Sequence, residues 1–155
     1  MALSQQGCTI DITAFPVEKG EDAWSAADAL LRYLDRELPP ARVTVSSDGG
    51  GCFPQFDEDG RVVALDLGRP SSMAETLKEL LARGQPLERV LPAFTSNPAR
   101  LLLLQGKGHL TTGADADLVV LGSDGGVEDV MARGRWHVRG GRSVLRGGFE
   151  RIERA

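Results

Sequence analysis

The stretch that decides the fold of this 155-residue chain is Arg42–Gly51, which reads RVTVSSDGGG. Its alternating β-branched residues predict a strand that ends at two serines, and Asp48 follows directly before three glycines. Parallel-sheet enzymes present catalytic groups at the carboxyl ends of their strands, and glycines let a ligand approach the main chain. The alternative is a strand that leaves the sheet through an Asp-Gly turn, the commonest use of that dipeptide. The rest of the chain favours the catalytic interpretation.

Strands and helices alternate along the first two thirds of the chain. A strand over Cys8–Thr13, a helix over Asp22–Leu38 and the strand that ends at Asp48 form a strand–helix–strand unit. Such a unit is the repeat of a parallel barrel or open sheet. Phe53–Leu65 then predicts a short hairpin with an Asp-Gly turn.

Two further helices are predicted after the hairpin. Ser72 and Glu75 form a capping box at the start of the first helix. Asn97 caps the second helix, Pro98–Leu104, whose proline stands at the first helical position. The leucine run Leu101–Leu104 is apolar on every side, which predicts burial between this part of the chain and a second domain.

Beyond Gly106 the hydrophobic pattern has period two and predicts strands alone. The predicted strands are Leu118–Leu121, Val127–Arg133, Trp136–Arg139 and Ser143–Arg146. A meander of this size covers one face of a sandwich and lacks the strands for the other. We therefore divide the chain into an α/β part, residues 1–105, and a β part, residues 106–155.

Composition predicts a globular protein that binds neither nucleic acid nor membranes. The net charge of −4 is mild and unclustered, which offers nothing to a phosphate backbone or an anionic bilayer. No apolar run approaches the roughly 20 residues of a membrane span, and Met1–Gly7 lacks the regions of a signal peptide. Cys8 and Cys52 form no Cys-x-x-Cys motif or disulfide framework, so we expect the cytoplasm. Burial as small thiols is an open alternative for both.

The Asp48 segment resembles the last barrel strand of the amidohydrolase superfamily and, within it, of the isoaspartyl dipeptidases. Ser46–Gly49 together with Asp11–Thr13 narrows the resemblance to the dipeptidases. Four further stretches are similar to superfamily motifs or to the ending of the dipeptidase branch: Thr95–Ala99, Gly106–Gly108, Gly113–Val120 and Gly148–Glu150.

This resemblance implies the C-terminal part of a (β/α)8 metal-dependent hydrolase barrel, followed by part of a small β-sandwich domain. Members of the family hold two zinc ions with a His-x-His pair, a carboxylated lysine, two further histidines and the aspartate that corresponds to Asp48. His109 and His137 match none of the ligand strands, and a zinc site needs three or four ligands. The chain therefore resembles the C-terminal third of an enzyme, and we expect it to be inactive when isolated.

By the same resemblance, Asp48 is both a metal ligand and the catalytic proton carrier. The loop glycines, Gly51 among them, would let the substrate backbone lie close to the main chain. The loop position four residues after the aspartate is a substrate-binding serine in the dipeptidases, and here it is Cys52, a weaker donor and acceptor. The implied reaction is hydrolysis of a β-aspartyl dipeptide by an enzyme that we expect to be a homo-oligomer when complete.

Two alternatives remain open for the function. One is a different amidohydrolase, a deaminase or cyclic-amide hydrolase, because the motif that Gly113–Val120 resembles is shared across these enzymes. The other is a non-catalytic remnant, or a subunit that complements another chain. Asp115 and Asp117 resemble a paired-carboxylate site, but they open a strand where Asp satisfies turn amides. We interpret them as structural, and His137 as a surface or edge residue.

Overall fold

The computed structural model describes residues 2–17, 22–145 and 147, which form a mixed α/β structure. Strands β1 (Ile10–Thr13) and β2 (Val43–Ser46) pair in parallel and are joined through helix α1 (Ala26–Leu34). The predicted strand–helix–strand unit is thus confirmed. It is the repeat of a parallel α/β barrel, with which the fold is consistent.

Helix α1 is shorter than the predicted helix Asp22–Leu38 because both of its ends are set locally. At the N-terminus, Ser25 Oγ accepts a hydrogen bond from the Asp28 N–H at 3.1 Å, so the helix begins directly after this cap. After its C-terminus, Glu37 adopts a left-handed conformation with φ 53°, which takes the chain out of the helical path.

The rest of the α/β part consists of a hairpin, three short helices and three 3₁₀ turns. These are β3 (Cys52–Phe56), β4 (Val62–Leu67), α2 (Ser71–Ala82), α3 (Leu87–Val90), α4 (Ser96–Leu101) and the turns Leu3–Gln6, Pro40–Arg42 and Leu91–Ala93. The capping box predicted for Ser72 and Glu75 is wrong. Pro70 already has helical backbone angles, so α2 begins earlier, and the Ser72 hydroxyl donates to the Arg69 carbonyl at 2.8 Å.

The two faces of the parallel sheet differ in chemistry. Val43 and Val45 of β2 are buried in a core that includes Leu30 of α1 and Leu80 of α2. Complete burial of each of these leucines contributes about 1.5–3 kcal/mol. Since side chains alternate along a strand, the polar residues of β1 and β2 lie on the opposite face, which a closed barrel would enclose.

Asn97 lies inside α4 rather than at its cap, which corrects the predicted start of that helix. It is 3% exposed, and its Nδ2 donates to the carbonyl oxygens of Pro40 and Val43, both at 2.8 Å. Thr95 precedes the helix instead. The Asn97 carboxamide therefore ties α4 to the beginning of β2, a contact that sequence spacing does not reveal.

The prediction that Leu101–Leu104 is buried is wrong within the described part of the chain. Helix α4 ends at Leu101, and Leu103 takes φ 55°, so the run leaves the helix. All four leucines are exposed, Leu103 to 84%. The described residues supply no element that covers them.

The β part forms a single antiparallel sheet. Its strands are β5 (Leu118–Leu121), β6 (Val127–Ala132), β7 (Arg135–Arg139) and β8 (Arg142–Ser143), adjacent in that order. The predicted meander is confirmed, whereas the sandwich and the boundary at residue 106 stay predictions. The predicted strand Ser143–Arg146 is wrong in its bounds, since β8 begins at Arg142 and ends at Ser143. Arg146 and the motif Gly148–Glu150 lie outside the described residues.

An ion-pair cluster follows α4 and leads into the sheet. Lys107 Nζ contacts Asp115 Oδ2 at 2.8 Å and also the Asp117 carboxylate, whose other oxygen accepts the Arg133 N–H at 2.7 Å. The hydrogen bonds that the Lys107 ammonium donates to Asp115 and then to Asp117 raise the pKa of Lys107. The hydrogen bond from Lys107, followed by that from the Arg133 N–H, lowers the pKa of Asp117. Asp117 thus accepts a main-chain amide, whereas Asp115 is held by Lys107, and the structural interpretation of both carboxylates stays a prediction. No helix within residues 2–17, 22–145 and 147 is long and apolar enough to cross a bilayer.

Candidate active site

Asp48 lies just beyond the carboxyl end of β2, as the sequence predicts, and it is exposed. Its backbone has φ 44°, a left-handed conformation that few residue types other than glycine adopt and that Asp tolerates. The Asp48 carbonyl accepts the Gly51 N–H at 2.8 Å, which closes a tight turn. We call residues 47–51 the Asp48 loop.

The carboxylate of Asp48 folds over Gly51. A Cβ at position 51 would lie 2.4 Å from Asp48 Oδ2, so a side chain there would displace the carboxylate. The contact made by Gly51 here is thus with Asp48 itself, and its contact with a substrate stays a prediction. Cys52 is the first residue of β3 and its thiol is exposed, as is that of Cys8, so the buried alternative is wrong for both. Binding of substrate by Cys52 also stays a prediction.

Gly68, the residue directly after the second strand of the hairpin, binds the Asp48 loop. Sequence analysis did not identify this role of Gly68. Its N–H donates to the Gly51 carbonyl and its carbonyl accepts the Gly50 N–H, both at 2.9 Å. A Cβ at position 68 would lie 2.1 Å from the Asp48 carbonyl oxygen. The signal for it was a glycine directly after a strand, but only the hairpin register shows which residue it meets.

Asp11 of β1 carries a second carboxylate on the polar face of the sheet. Thr44 Oγ1 donates to Asp11 Oδ1 and Ser46 Oγ donates to Asp11 Oδ2, both at 2.6 Å. The Ser46 carbonyl also accepts the Ala14 N–H at 2.7 Å. The last residue of β2 is therefore held through its side chain and its main chain. The resemblance to the dipeptidases assigned no role to Asp11.

The described residues do not form a complete metal centre. Asp48 provides one carboxylate, and nowhere in the described ranges do three His, Cys, Asp or Glu side chains form a group that could hold a metal ion. His109 is exposed, and His137 is partly buried on β7. Because β7 pairs with both β6 and β8, His137 is not an edge residue. A metal site of the family type thus requires ligands beyond these residues.

Residues 2–137 match the sequence profile of the Amidohydrolase family, and the chain belongs to that family. Within it, the chain is similar to the β-aspartyl dipeptidase of Fervidobacterium islandicum AW-1, solved in complex with a β-Asp-Leu dipeptide. The identity is 33% and the TM-score 0.80, over 95% of this chain and 38% of that chain. A second structure of β-aspartyl dipeptidase from this organism gives 29% identity and a TM-score of 0.73, over 95% and 35% of the two chains.

More distant structures share the fold. N-acetylglucosamine-6-phosphate deacetylase from Thermotoga maritima is 16% identical with a TM-score of 0.59, over 84% of this chain and 39% of that chain. The predicted superfamily and the resemblance to isoaspartyl dipeptidases are confirmed. The chain spans less than two fifths of the length of each of these relatives.

Proposed function

We propose that this chain is the C-terminal part of a zinc-dependent isoaspartyl dipeptidase that hydrolyses β-aspartyl peptide bonds. The observation that carries the proposal is the placement of Asp48. Its carboxylate is exposed at the carboxyl end of a parallel strand and is followed directly by three glycines. The 33% identity to a β-aspartyl dipeptidase over 95% of the chain supports the substrate class.

Asp48 carries the proton in the proposed reaction. The carboxylate accepts a proton from the water whose oxygen attacks the carbonyl carbon of the β-linked amide. When the tetrahedral intermediate breaks its C–N bond, the same proton passes from Asp48 to the leaving amine. The products are free aspartate and the second amino acid, and Asp48 returns to its ionised form. The carboxylate lies beside Gly51, and the short side chain of Asp limits the positions that it can reach.

Gly51 and Cys52 are the proposed substrate contacts. Cys52 is exposed at the start of β3, and the next residue, Phe53, packs against Phe15 with ring centroids 5.5 Å apart. This aromatic contact packs the beginning of the hairpin against the segment that follows β1. A thiol is a weak hydrogen-bond donor, so we propose that Cys52 contributes more to the shape of the dipeptide pocket than to affinity.

The proposed enzyme is complete only with residues from elsewhere. Asp48 would supply one ligand to a site of two zinc ions, and the remaining ligands would come from a longer chain or from a second polypeptide. We propose that the complete enzyme is a cytoplasmic homo-oligomer and that the 155-residue chain alone is inactive.

Co-expression tests the proposal. Residues 1–155 are produced alone and together with the N-terminal part of the Fervidobacterium dipeptidase, with zinc present, and each sample is assayed on β-Asp-Leu and on a cyclic amide. We expect β-Asp-Leu hydrolysis only in the mixture, which we call the complemented enzyme. Preference for the cyclic amide would favour a different amidohydrolase. A soluble, zinc-loaded mixture without activity would indicate a non-catalytic remnant.

A further inference from the structure

The carboxylate of Asp11 accepts hydroxyl hydrogen bonds from two residues of the strand that leads to Asp48. We propose that Asp11 is a positioning residue, which fixes the end of β2 and thereby holds the Asp48 loop in its left-handed conformation. This inference rests on the proposed function, since it concerns the geometry of the same site.

The contacts of Asp11 use both of its oxygens. Thr44 and Ser46 are two residues apart on β2 and therefore project from the same face, each 2.6 Å from a different oxygen of Asp11. This distance is in the range of charge-assisted O–H···O⁻ bonds, which are roughly twice as strong as neutral ones. Thr44 is 4% exposed, so its hydroxyl has little access to water as an alternative partner. One carboxylate thus binds two side chains of β2 on the polar face of the sheet.

The effect reaches Asp48 because the loop is held at both of its ends. Ser46 is bound by Asp11 and by the Ala14 N–H at one end, and Gly68 binds the other end. A residue with positive φ keeps that conformation only when its surroundings over-determine it. Loss of Asp11 removes the side-chain contact at one of the two ends and leaves only the main-chain bonds there. A displacement of about 1 Å in a catalytic group can lower turnover by roughly a hundredfold.

Asp11→Asn separates positioning from an effect of charge. The carboxamide keeps one acceptor oxygen, and its N–H can donate to a hydroxyl that rotates to accept. This variant therefore retains two hydrogen bonds without the negative charge, whereas Asp11→Ala loses both bonds and the charge. Asp59→Ala, at the exposed hairpin turn, is the control for a lost surface carboxylate.

The experiment measures kcat and KM for β-Asp-Leu in the complemented enzyme, and amide hydrogen exchange at Gly50, Gly51 and Gly68. We expect Asp11→Ala to lower kcat about 10- to 100-fold, with KM changed less than about threefold and with faster exchange at these amides. Asp11→Asn should stay within about fivefold of the parent kcat. Adding Ser46→Ala to Asp11→Ala should cost less than about twofold more, because the two side chains act as one unit.

The inference is overturned if Asp11→Asn loses as much kcat as Asp11→Ala while exchange is unchanged, since Asp11 would then act through its charge. It is also overturned if Asp11→Ala leaves kcat and exchange at parent values. An inactive parent mixture defeats the proposed function, and the exchange rates alone then decide the role of Asp11. If Asp11→Ala does not fold, the Thr44→Val, Ser46→Ala pair removes the same two bonds, and unchanged exchange in it refutes the inference.

Discussion

At the scale of single residues, the proposed site is centred on one exposed carboxylate, that of Asp48, and on the backbone that holds it. Asp48 adopts a positive φ, and a Cβ at Gly68 would collide with the Asp48 carbonyl oxygen, whereas a Cβ at Gly51 would meet the Asp48 carboxylate. Gly68 is therefore needed for packing against the loop, and Gly50 adopts a left-handed backbone with φ 85° within it. Two substitutions test these roles separately.

Asp48→Asn in the complemented enzyme keeps the shape of the side chain but removes its ability to accept and return a proton. We expect kcat on β-Asp-Leu to fall roughly a hundredfold or more, the scale usual for lost acid–base catalysis. Steady-state kinetics measures this, with Asp59→Asn at the exposed hairpin turn as the matched control. Near-normal turnover by Asp48→Asn would show that another group carries the proton.

Gly68→Ala tests whether the hairpin holds the Asp48 loop. The new methyl group would lie 2.1 Å from the Asp48 carbonyl oxygen, so the loop must move. We expect kcat to fall at least about tenfold, because the carboxylate is displaced. Gly60→Ala at the hairpin turn is the control for a strained Gly→Ala change away from the loop, since φ there is 77° and a Cβ meets nothing within 4 Å. Equal kcat values for the two variants would contradict a role of Gly68 in positioning.

At the scale of elements, the connection into the β sheet is held by the cluster of Lys107, Asp115 and Asp117. The pair of acidic residues resembles a catalytic site in sequence, but in the structure both contact the same ammonium group. Asp117 in addition accepts the Arg133 N–H at the end of β6. The cluster thus joins the connection to the sheet, and its contribution to stability depends on pH.

The shifted pKa values set the direction of this dependence. The pKa of Asp117 is lowered on folding, so its stabilisation is present above the unfolded value of about 3.9 and is lost as pH falls through the folded value. The pKa of Lys107 is raised, so its stabilisation is present below the unfolded value of about 10.4 and is lost as pH rises through the folded value.

We therefore expect Lys107→Met to lower the Tm of the complemented enzyme by a constant amount between about pH 5 and pH 9. The difference from the parent should shrink below about pH 4 and above about pH 10. Thermal melts followed by circular dichroism measure it. Arg61→Met, which removes an exposed pair with Asp59, should leave Tm nearly unchanged throughout. A Lys107→Met difference that does not vary with pH would contradict the ion-pair explanation.

At the scale of the whole molecule, the described chain leaves much apolar surface and backbone uncovered. The parallel sheet contains β1 and β2 alone, so each strand has an unpaired edge within the described residues. All residues of β4 and of Leu101–Leu104 are exposed. Unpaired edges and large apolar patches promote association.

We expect residues 1–155 expressed alone to associate, and co-expression with the N-terminal part of the Fervidobacterium dipeptidase to restore solubility. Size-exclusion chromatography with light scattering measures the mass of each sample. A monomeric chain with a cooperative thermal transition would show that the 155 residues are a domain in their own right.

Zinc binding provides an independent test of the same interpretation. One carboxylate oxygen does not satisfy a tetrahedral ion, so we expect the isolated chain to retain far less than one zinc ion after a chelator wash. Equilibrium dialysis followed by elemental analysis measures the content. Stoichiometric zinc in the isolated chain would mean that its own residues form a metal site.

The sequence by itself was sufficient for the order of the elements, the strand that leads to Asp48 and the family. Hydrophobic periodicity, β-branched residues and glycine clusters involve only a few neighbouring residues, so these patterns can be interpreted without knowledge of the fold. For this reason the strand over Cys8–Thr13 and the antiparallel meander after Gly106 were predicted with bounds close to those observed.

Only the tertiary structure decided which segments meet. Asn97 looked like a helix cap but binds the start of β2, and Leu101–Leu104 looked buried but is exposed. Asp11 and Gly68, remote from Asp48 in sequence, hold the two ends of its loop. These contacts follow from strand pairing and hairpin register, which join residues far apart in the chain and therefore leave no local pattern.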